Sequence, residues 1–359
     1  RVVAPEPRPR RGAGACVVAS ADADLEAKLA AGPTVRGPSV ATPARRPGSV
    51  RRTSSIDVRW PGGWGTQMRL LGRARDLLTP ADGTGPVTLH DDVVHVGVGL
   101  DRTIESIRAE PPRDALPRLI GARGGSRLRG ALGEVVPDER AAGTPLYLLL
   151  DDLAGATLIG GFAYSQWPQE WPPDWAQRRG ERTSLRRMEG ICTGFQPGSS
   201  ALAEDGTGRF IHDIRRVEPL TDRNDPIGWH QLEDIAEVSM RRARRIDVYR
   251  DGNVIVVDSM FQDSATVPDG GRVAVHEYQL AATVDAVTGE LIRAVADPRV
   301  LPYRECPLAA GSVAALIGSP VADFRETVLE RLKGTAGCTH LNDALRALAE
   351  VPMLARSLA

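Results

Sequence analysis

The sequence predicts an α+β fold: a tandem duplication of a strand-rich module with C-terminal helices, packed as an intramolecular pseudo-dimer. Three observations predict it. RRTSSIDV at Arg51–Val58 returns as RRARRIDV at Arg241–Val248. GLDRTIESIRAEPPR at Gly99–Arg113 is echoed by TVDAVTGELIRAVADPR at Thr283–Arg299. In the second copy strand-like runs come first and helix-like runs follow, the order of an α+β unit. Two homologous units in one chain can pair as the subunits of a dimer do.

Residues 1–46 are rich in Pro, Ala, Gly and Arg and read as a flexible arm, with a short helix at Asp22–Ala30 and one cysteine, Cys16. The first module spans residues 51–167. IDVRWP is a short strand stopped by Pro61–Gly62–Gly63. Met68–Leu78 is a second strand, and Val87–Leu100 with Ile104–Ala109 forms a hairpin. Arg113–Gly130 can hold a helix. Leu146–Ala163 is apolar around Asp151–Asp152, and its periodicity does not separate helix from strand. A turn-rich connector, residues 168–240, carries Cys192 and His230 and either lines a site or clamps the two copies together.

The second module spans residues 241–359. Ile246–Tyr249 and Val254–Phe261 make a hairpin about Asp251–Gly252. Val273–Val284 pairs with Glu290–Ala296. Leu308–Leu316 and Val321–Lys333 read as helices ended by Gly318 and Gly334. Thr339 is placed to cap the last helix, whose Leu341, Leu345, Leu348 and Val351 form a buried stripe.

Composition sets the limits. The 359 residues suffice for two domains, and 42% hydrophobic with 25% charged residues supports a sizeable core. A net charge of −1 argues against a general polyanion binder, so no nucleic acid is expected. No apolar run approaches bilayer-spanning length, and Leu146–Leu150 fits a buried strand. No apolar core follows the basic first residues, so the cytoplasm is expected. Four cysteines at 16, 192, 306 and 338 lack a disulfide-scaffold pattern and read as free thiols or metal ligands.

The sharpest chemical cluster is GTAGCTHLNDAL at Gly334–Leu345. Its counterpart, GTPLYLLLDDLA at Gly143–Ala154, keeps the acidic pair but lacks Cys338 and His340. Both residues lie at a helix start, where amides and the helix dipole lower a thiol pKa. Cys338 is therefore expected as nucleophile or metal ligand, although a spacing of two on a helix points side chains apart. Cys306, in LPYRECP, can join Cys338, His340 and either Cys192 or His276 in a four-ligand zinc site. A metal-free catalytic thiolate with His340 or His276 as base is equally open, with Glu305 or Asp343 orienting the imidazole. The competing assignment is a buried structural cysteine beside a hydrogen-bonded histidine. His276 lies in a strand and faces either the helices or solvent. His230, as a loop residue, is expected exposed and able to move protons. The arginines at 241, 242, 244 and 245 form a basic patch that either binds an anion or pairs with Asp247, Asp258 and Asp263.

The Arg-rich opening ending in IDV at Arg241–Val248, Phe261–Gln262–Asp263–Ser264, the LPYRECP motif and the terminal GCTHLND together resemble a bacterial family catalogued as domain of unknown function 2889. The resemblance covers Arg241–Val351 and is fainter over Arg51–Trp167. It implies that Cys306, Cys338, Thr339 and His340 match the family signature, and it implies no substrate.

The expectation is a small-molecule enzyme, a hydrolase, lyase or isomerase of an acidic organic substrate. Cys338 acts as nucleophile or ligand, His340 or His230 moves protons, and Arg245, Arg304 and Asn342 hold the ligand. The rivals are a zinc-stabilised interaction module, in which Cys306, Cys338 and His340 staple loops, and a metal-free binding protein.

Overall fold

The computed structural model describes residues 24–172, 188–203 and 213–358. Cys16 lies outside them. It is a mixed α/β structure with one large antiparallel sheet and a set of C-terminal helices. Among the described residues the sheet has nine strands: β1 (Ser49–Arg59), β2 (Met68–Thr79), β3 (Val87–Val98), β4 (Ile104–Glu110), β5 (Arg215–Val217), β6 (Ser239–Asp251), β7 (Val254–Thr266), β8 (Arg272–Asp285) and β9 (Leu291–Val300). Their order is β4-β3-β2-β1-β6-β7-β8-β5, with β9 also on β8. The strands of residues 49–110 and those of residues 239–300 therefore lie in a single sheet, joined where β1 pairs with β6.

That join has a centred register. Ser54 lies opposite Arg244, Arg51 opposite Asp247 and Asp57 opposite Arg241. Two reciprocal ion pairs result, Arg51 Nε to Asp247 Oδ1 and Arg241 Nε to Asp57 Oδ1, each at 2.6 Å. A slip of two residues would set Arg51 against Arg245, so charge enforces the register that strand periodicity leaves open.

Strand alternation divides the side chains between two faces. Residues 52, 56 and 58 of β1 and 242, 244, 246 and 248 of β6 face the helices, and 51, 53, 55, 241, 243 and 245 face the other way. α1 (residues 24–31) lies in the arm. α2 (Ser126–Val135), α3 (Pro137–Ala142) and α4 (Pro145–Ile159) follow β4. Thr144 caps α4, its hydroxyl accepting the amide of Tyr147 at 3.2 Å, and Pro145 sits in the first turn. The run that periodicity left open is thus a helix. With the 3-10 turns after it, Pro145–Gln166 is long and apolar enough to cross a bilayer, contrary to the sequence expectation, and it is mostly buried against the sheet.

After β9 come a 3-10 helix (Cys306–Leu316), α5 (Phe324–Arg331), α6 (Thr339–Arg346) and α7 (Val351–Arg356). Leu341, Leu345, Leu348 and Val351 are buried as a stripe; each contributes about 1.5–3 kcal/mol of burial. Two apolar clusters flank a charged seam between the helices and the sheet. In the seam Asp151 of α4 accepts from Arg325 at 2.9 Å and Arg346 at 2.8 Å. Burial alone would raise its carboxyl, but Arg346 and Arg325 hold it down at about 2.

The arm departs from its sequence picture over its described residues. In the arm, Arg45 bonds both oxygens of Asp225, and the Ser39 amide donates to Glu277 at 2.7 Å, so this stretch is fastened to the body. The connector around Trp229 covers the face opposite the helices, packing Trp229 on Ala243 and Met260.

Candidate functional site

Pairing of β7 with β8 sets Asp263 opposite His276, with a bulge immediately beyond that pair. Bulges re-aim side chains and recur beside functional sites. Phe261, Asp263, His276 and Tyr278 turn toward the helices. α6 then brings His340 in its first turn onto this face. The His340 ring stacks on His276 with centroids 3.4 Å apart and planes 18° from parallel. His276 Nδ1 lies 3.4 Å, and His340 Nε2 3.8 Å, from Asp263 Oδ2. The Thr339 hydroxyl lies 3.3 Å from the other His340 nitrogen, Nδ1.

Arg242 anchors the group. Its Nε and Nη2 donate to the two oxygens of Asp263 at 2.9 and 3.0 Å, and Nη1 donates to Asp343 at 2.9 Å. Arg244 holds Asp152 alongside, through Nη2 at 2.8 and 2.9 Å. The guanidinium of Arg242 passes so close to α4 that a Cβ on Gly155 would stand 1.8 Å from Nη1. A mid-helix glycine costs about 1 kcal/mol relative to alanine; here it makes room for the seam.

Burial opposes charge on Asp263, but Arg242 and the neighbouring His276 override it and keep the carboxylate ionised well below its usual range. Burial pulls His340 well below the usual imidazole value, and His276 beside it adds to the effect. His276 is lowered by burial against the pull of Asp263. Near pH 7 the unit is a carboxylate with two neutral imidazoles. His340 keeps 15% of its side-chain exposure while Asp263 has none, so the group runs from solvent to a buried anion. Neutral imidazoles placed this way can accept and pass on a proton or ligate a metal.

Residues 240–354 match the family described as protein of unknown function (DUF2889). Arg242, Asp263, His276, Cys338, His340 and Asp343 all fall inside the matched segment. No curated protein and no solved structure matches the chain.

Within the DUF2889 segment Cys338 and His340 part company. Cys338 is the N-cap of α6, with no side-chain cap bond, and Thr339 is the first helical residue rather than the cap. The Cys338 thiol turns to the buried hydroxyl of Tyr278, and the Cys306 and Cys192 thiols gather near the same place. A Cβ on Gly194 would stand 2.7 Å from Cys306 Sγ and 3.9 Å from Cys192 Sγ, so the connector enters here only because residue 194 is small. The three cysteines therefore converge, but His340 does not join them. Among the described residues the metal-capable set is Asp263, His276 and His340. The expected thiolate activation also reverses: burial raises Cys338 to about 11, outweighing the amides of Leu341 and His340. Native protein is expected to resist alkylation at Cys338 near neutral pH and to react as pH approaches 11 or on unfolding. Rapid stoichiometric labelling at pH 7, located by peptide mapping, would contradict this burial.

The other expected site residues sit elsewhere. His230 is buried on the connector face, with Nε2 2.8 Å from the Ser55 hydroxyl and Nδ1 2.9 Å from that of Thr53. The sheet separates it from His340. Arg245 occupies the same face and is taken up by Asp247 and Asp258. Arg304 is 55% exposed and pairs with Glu26 and Glu305. Asn342 is buried, donating from Nδ2 to Leu332 O at 2.9 Å, a helix-joining role. Glu305 is fixed by Ser200 rather than by an imidazole. Sequence reasoning underrated Asp263, His276 and Arg242. The available signal was strand period: Phe261–x–Asp263 and His276–x–Tyr278 each put an aromatic and a chemical residue on one face.

Proposed function

We propose that this chain is a small-molecule enzyme, a hydrolase, lyase or isomerase of an acidic organic substrate, with one proton-moving centre at His340, His276 and Asp263. The observation that carries the reading is the stack of partly exposed His340 on buried His276, backed by a carboxylate that Arg242 keeps ionised. His340 exchanges the substrate proton, and the Asp263 carboxylate, shared by His340 and His276, stabilises the imidazolium that forms. Arg129 of α2 is the natural anion holder. Its side chain is 27% exposed, bonds Asp343, one helical turn from His340, at 3.0 Å, and lies with Nε 3.8 Å from Asp151 Oδ1.

The same proposal takes the chain as a tandem duplication folded into a pseudo-dimer with one working half. The register of β1 on β6 supports it, because Ser54 lies opposite the residue it aligns with in the RRTSSIDV/RRARRIDV repeat, Arg244. The triad Arg52–Asp76–His90 supports it too: Asp76 lies opposite Arg52 and His90 opposite Asp76, as Asp263 does with Arg242 and His276. Even the bulge after the Asp–His pair recurs. Aligning Asp151–Asp152 with Asn342–Asp343 puts Leu149 at the place of His340, which leaves His90 without a second imidazole.

The test incubates the protein in D2O with a library of small carboxylic acids and carboxylate thioesters. Mass spectrometry reads deuterium uptake and mass change together. At least one compound is expected to change with wild-type protein and with His90→Gln, and not with folded His340→Gln. An unchanged library, or full conversion by His340→Gln, would sink the reading.

A further inference from the structure

We propose that Asp263 Oδ2, His276 Nδ1 and His340 Nε2 form a binding site for a divalent first-row transition ion of the zinc type. This rests on the centre proposed above and changes its chemistry: with an ion bound, His276 and His340 would serve as ligands and a water on the open position would exchange the proton, and the inference stands or falls on binding rather than on turnover. One ligand atom from each of the three residues lies within 4.8 Å of the other two. Two separations, 3.4 and 3.8 Å, are already close to what ligands on one ion require, since bonds of about 2.0–2.1 Å at tetrahedral angles place donors about 3.4 Å apart.

A second observation points to a ligand independently. His276 is buried, and its Nδ1, 3.4 Å from Asp263 Oδ2, lacks a well-aligned hydrogen bond. An unsatisfied buried polar atom costs about 1–3 kcal/mol. The comparison within the chain is direct: His90, which faces Asp76 in the same register, lies 3.1 Å from its carboxylate through Nδ1 and is half exposed. The poorly bonded nitrogen thus occurs on the side that also has a second imidazole.

The surroundings suit an ion. A carboxylate has about four lone-pair positions; Arg242 takes one on each oxygen and leaves Oδ2 free toward the imidazoles. Arg242 acts as the outer partner that orients a ligating carboxylate, and the Thr339 hydroxyl faces the far nitrogen of His340. Two imidazoles and one carboxylate form a borderline donor set that favours zinc or ferrous iron over calcium or magnesium. Three protein ligands leave a position for water or substrate, which is the pattern of catalytic rather than structural zinc. Lone pairs lie in the ring planes, so nearly parallel rings direct them side by side. Binding therefore requires His340, the one partly exposed ligand, to tilt out of its stack.

The test uses full-length protein stripped with a chelator and titrated with zinc alone. Uptake of about one equivalent is expected. Zinc-edge X-ray absorption of wild-type protein is expected to show a shell of nitrogen and oxygen only. His276→Gln and His340→Gln should each weaken binding by more than about 100-fold, exceeding the loss of an outer partner, while His90→Gln and Cys338→Ser bind as wild type. No uptake would overturn the site, as would sulfur scattering at about 2.3 Å or undiminished binding by His340→Gln. The absorption spectrum decides on wild-type protein even if a variant fails to fold. Library conversion by zinc-free protein would leave the proton exchange at His340 standing while uptake fails, so the two readings are separable.

Discussion

Arg242→Ala is expected to destabilise the protein by about 3–5 kcal/mol, the cost of breaking a buried ion pair by removing one partner. Arg242 is fully buried, and burial alone would lower its pKa. Asp263, Asp343 and Asp152 overrule burial and raise it above the ordinary arginine value. Deleting it leaves the Asp263 carboxylate without its bidentate cation and Asp343 without one of its three arginine neighbours. Arg108→Ala, at the exposed pair with Glu110, should change stability by no more than about 0.5 kcal/mol. Urea unfolding of both variants checks the contrast. A loss below about 1 kcal/mol for Arg242→Ala, the range of surface pairs, would mean that the seam is far wetter than its packing.

His230 is expected to make the fold acid-sensitive well above the carboxylate range. Burial, with Arg75, Arg241 and Arg73 nearby, lowers its pKa to about 3. The unfolded value is about 6.5, so the folded state favours the neutral ring. The stabilisation is fully present above pH 6.5 and is lost as pH falls from there toward 3. By pH 4 the loss amounts to about 3 kcal/mol. The ring is held by the Ser55 and Thr53 hydroxyls, which can each donate or accept, so neither compensates a new charge. His230→Gln should start less stable at pH 7 and fall less steeply than wild type between pH 6.5 and 4. Parallel slopes for the two proteins would contradict a buried neutral His230.

Much of the architecture was legible because strand period and turn residues are local signals. Met68–Leu78, Val87–Leu100 and Val273–Val284 stand as strands close to those bounds, and the Leu341–Val351 stripe is buried as its spacing requires. What local signals do not carry is which partner a charge meets. The arginines at 241, 242, 244 and 245 offer either an anion patch or ion pairs to Asp247, Asp258 and Asp263; all four are buried, Arg242 and Arg245 on those partners, Arg241 and Arg244 on Asp57 of β1 and Asp152 of α4, distant in sequence. His230 followed the default that loop residues are exposed, and a connector laid flat on a sheet breaks that default. The Cys338–x–His340 motif marked the right turn of chain but the wrong assembly. Two residues apart at a helix start, the side chains diverge, so the thiol joins Tyr278 and the imidazole joins His276.

The most direct measurement of the centre is a histidine-selective nuclear Overhauser experiment on protein carrying 13C only in its six histidines. The account predicts a cross-peak between the rings of His276 and His340, which disappears in His340→Gln and is untouched in Cys338→Ser. A folded protein in which these two rings show no contact would contradict the centre on which the proposed chemistry rests.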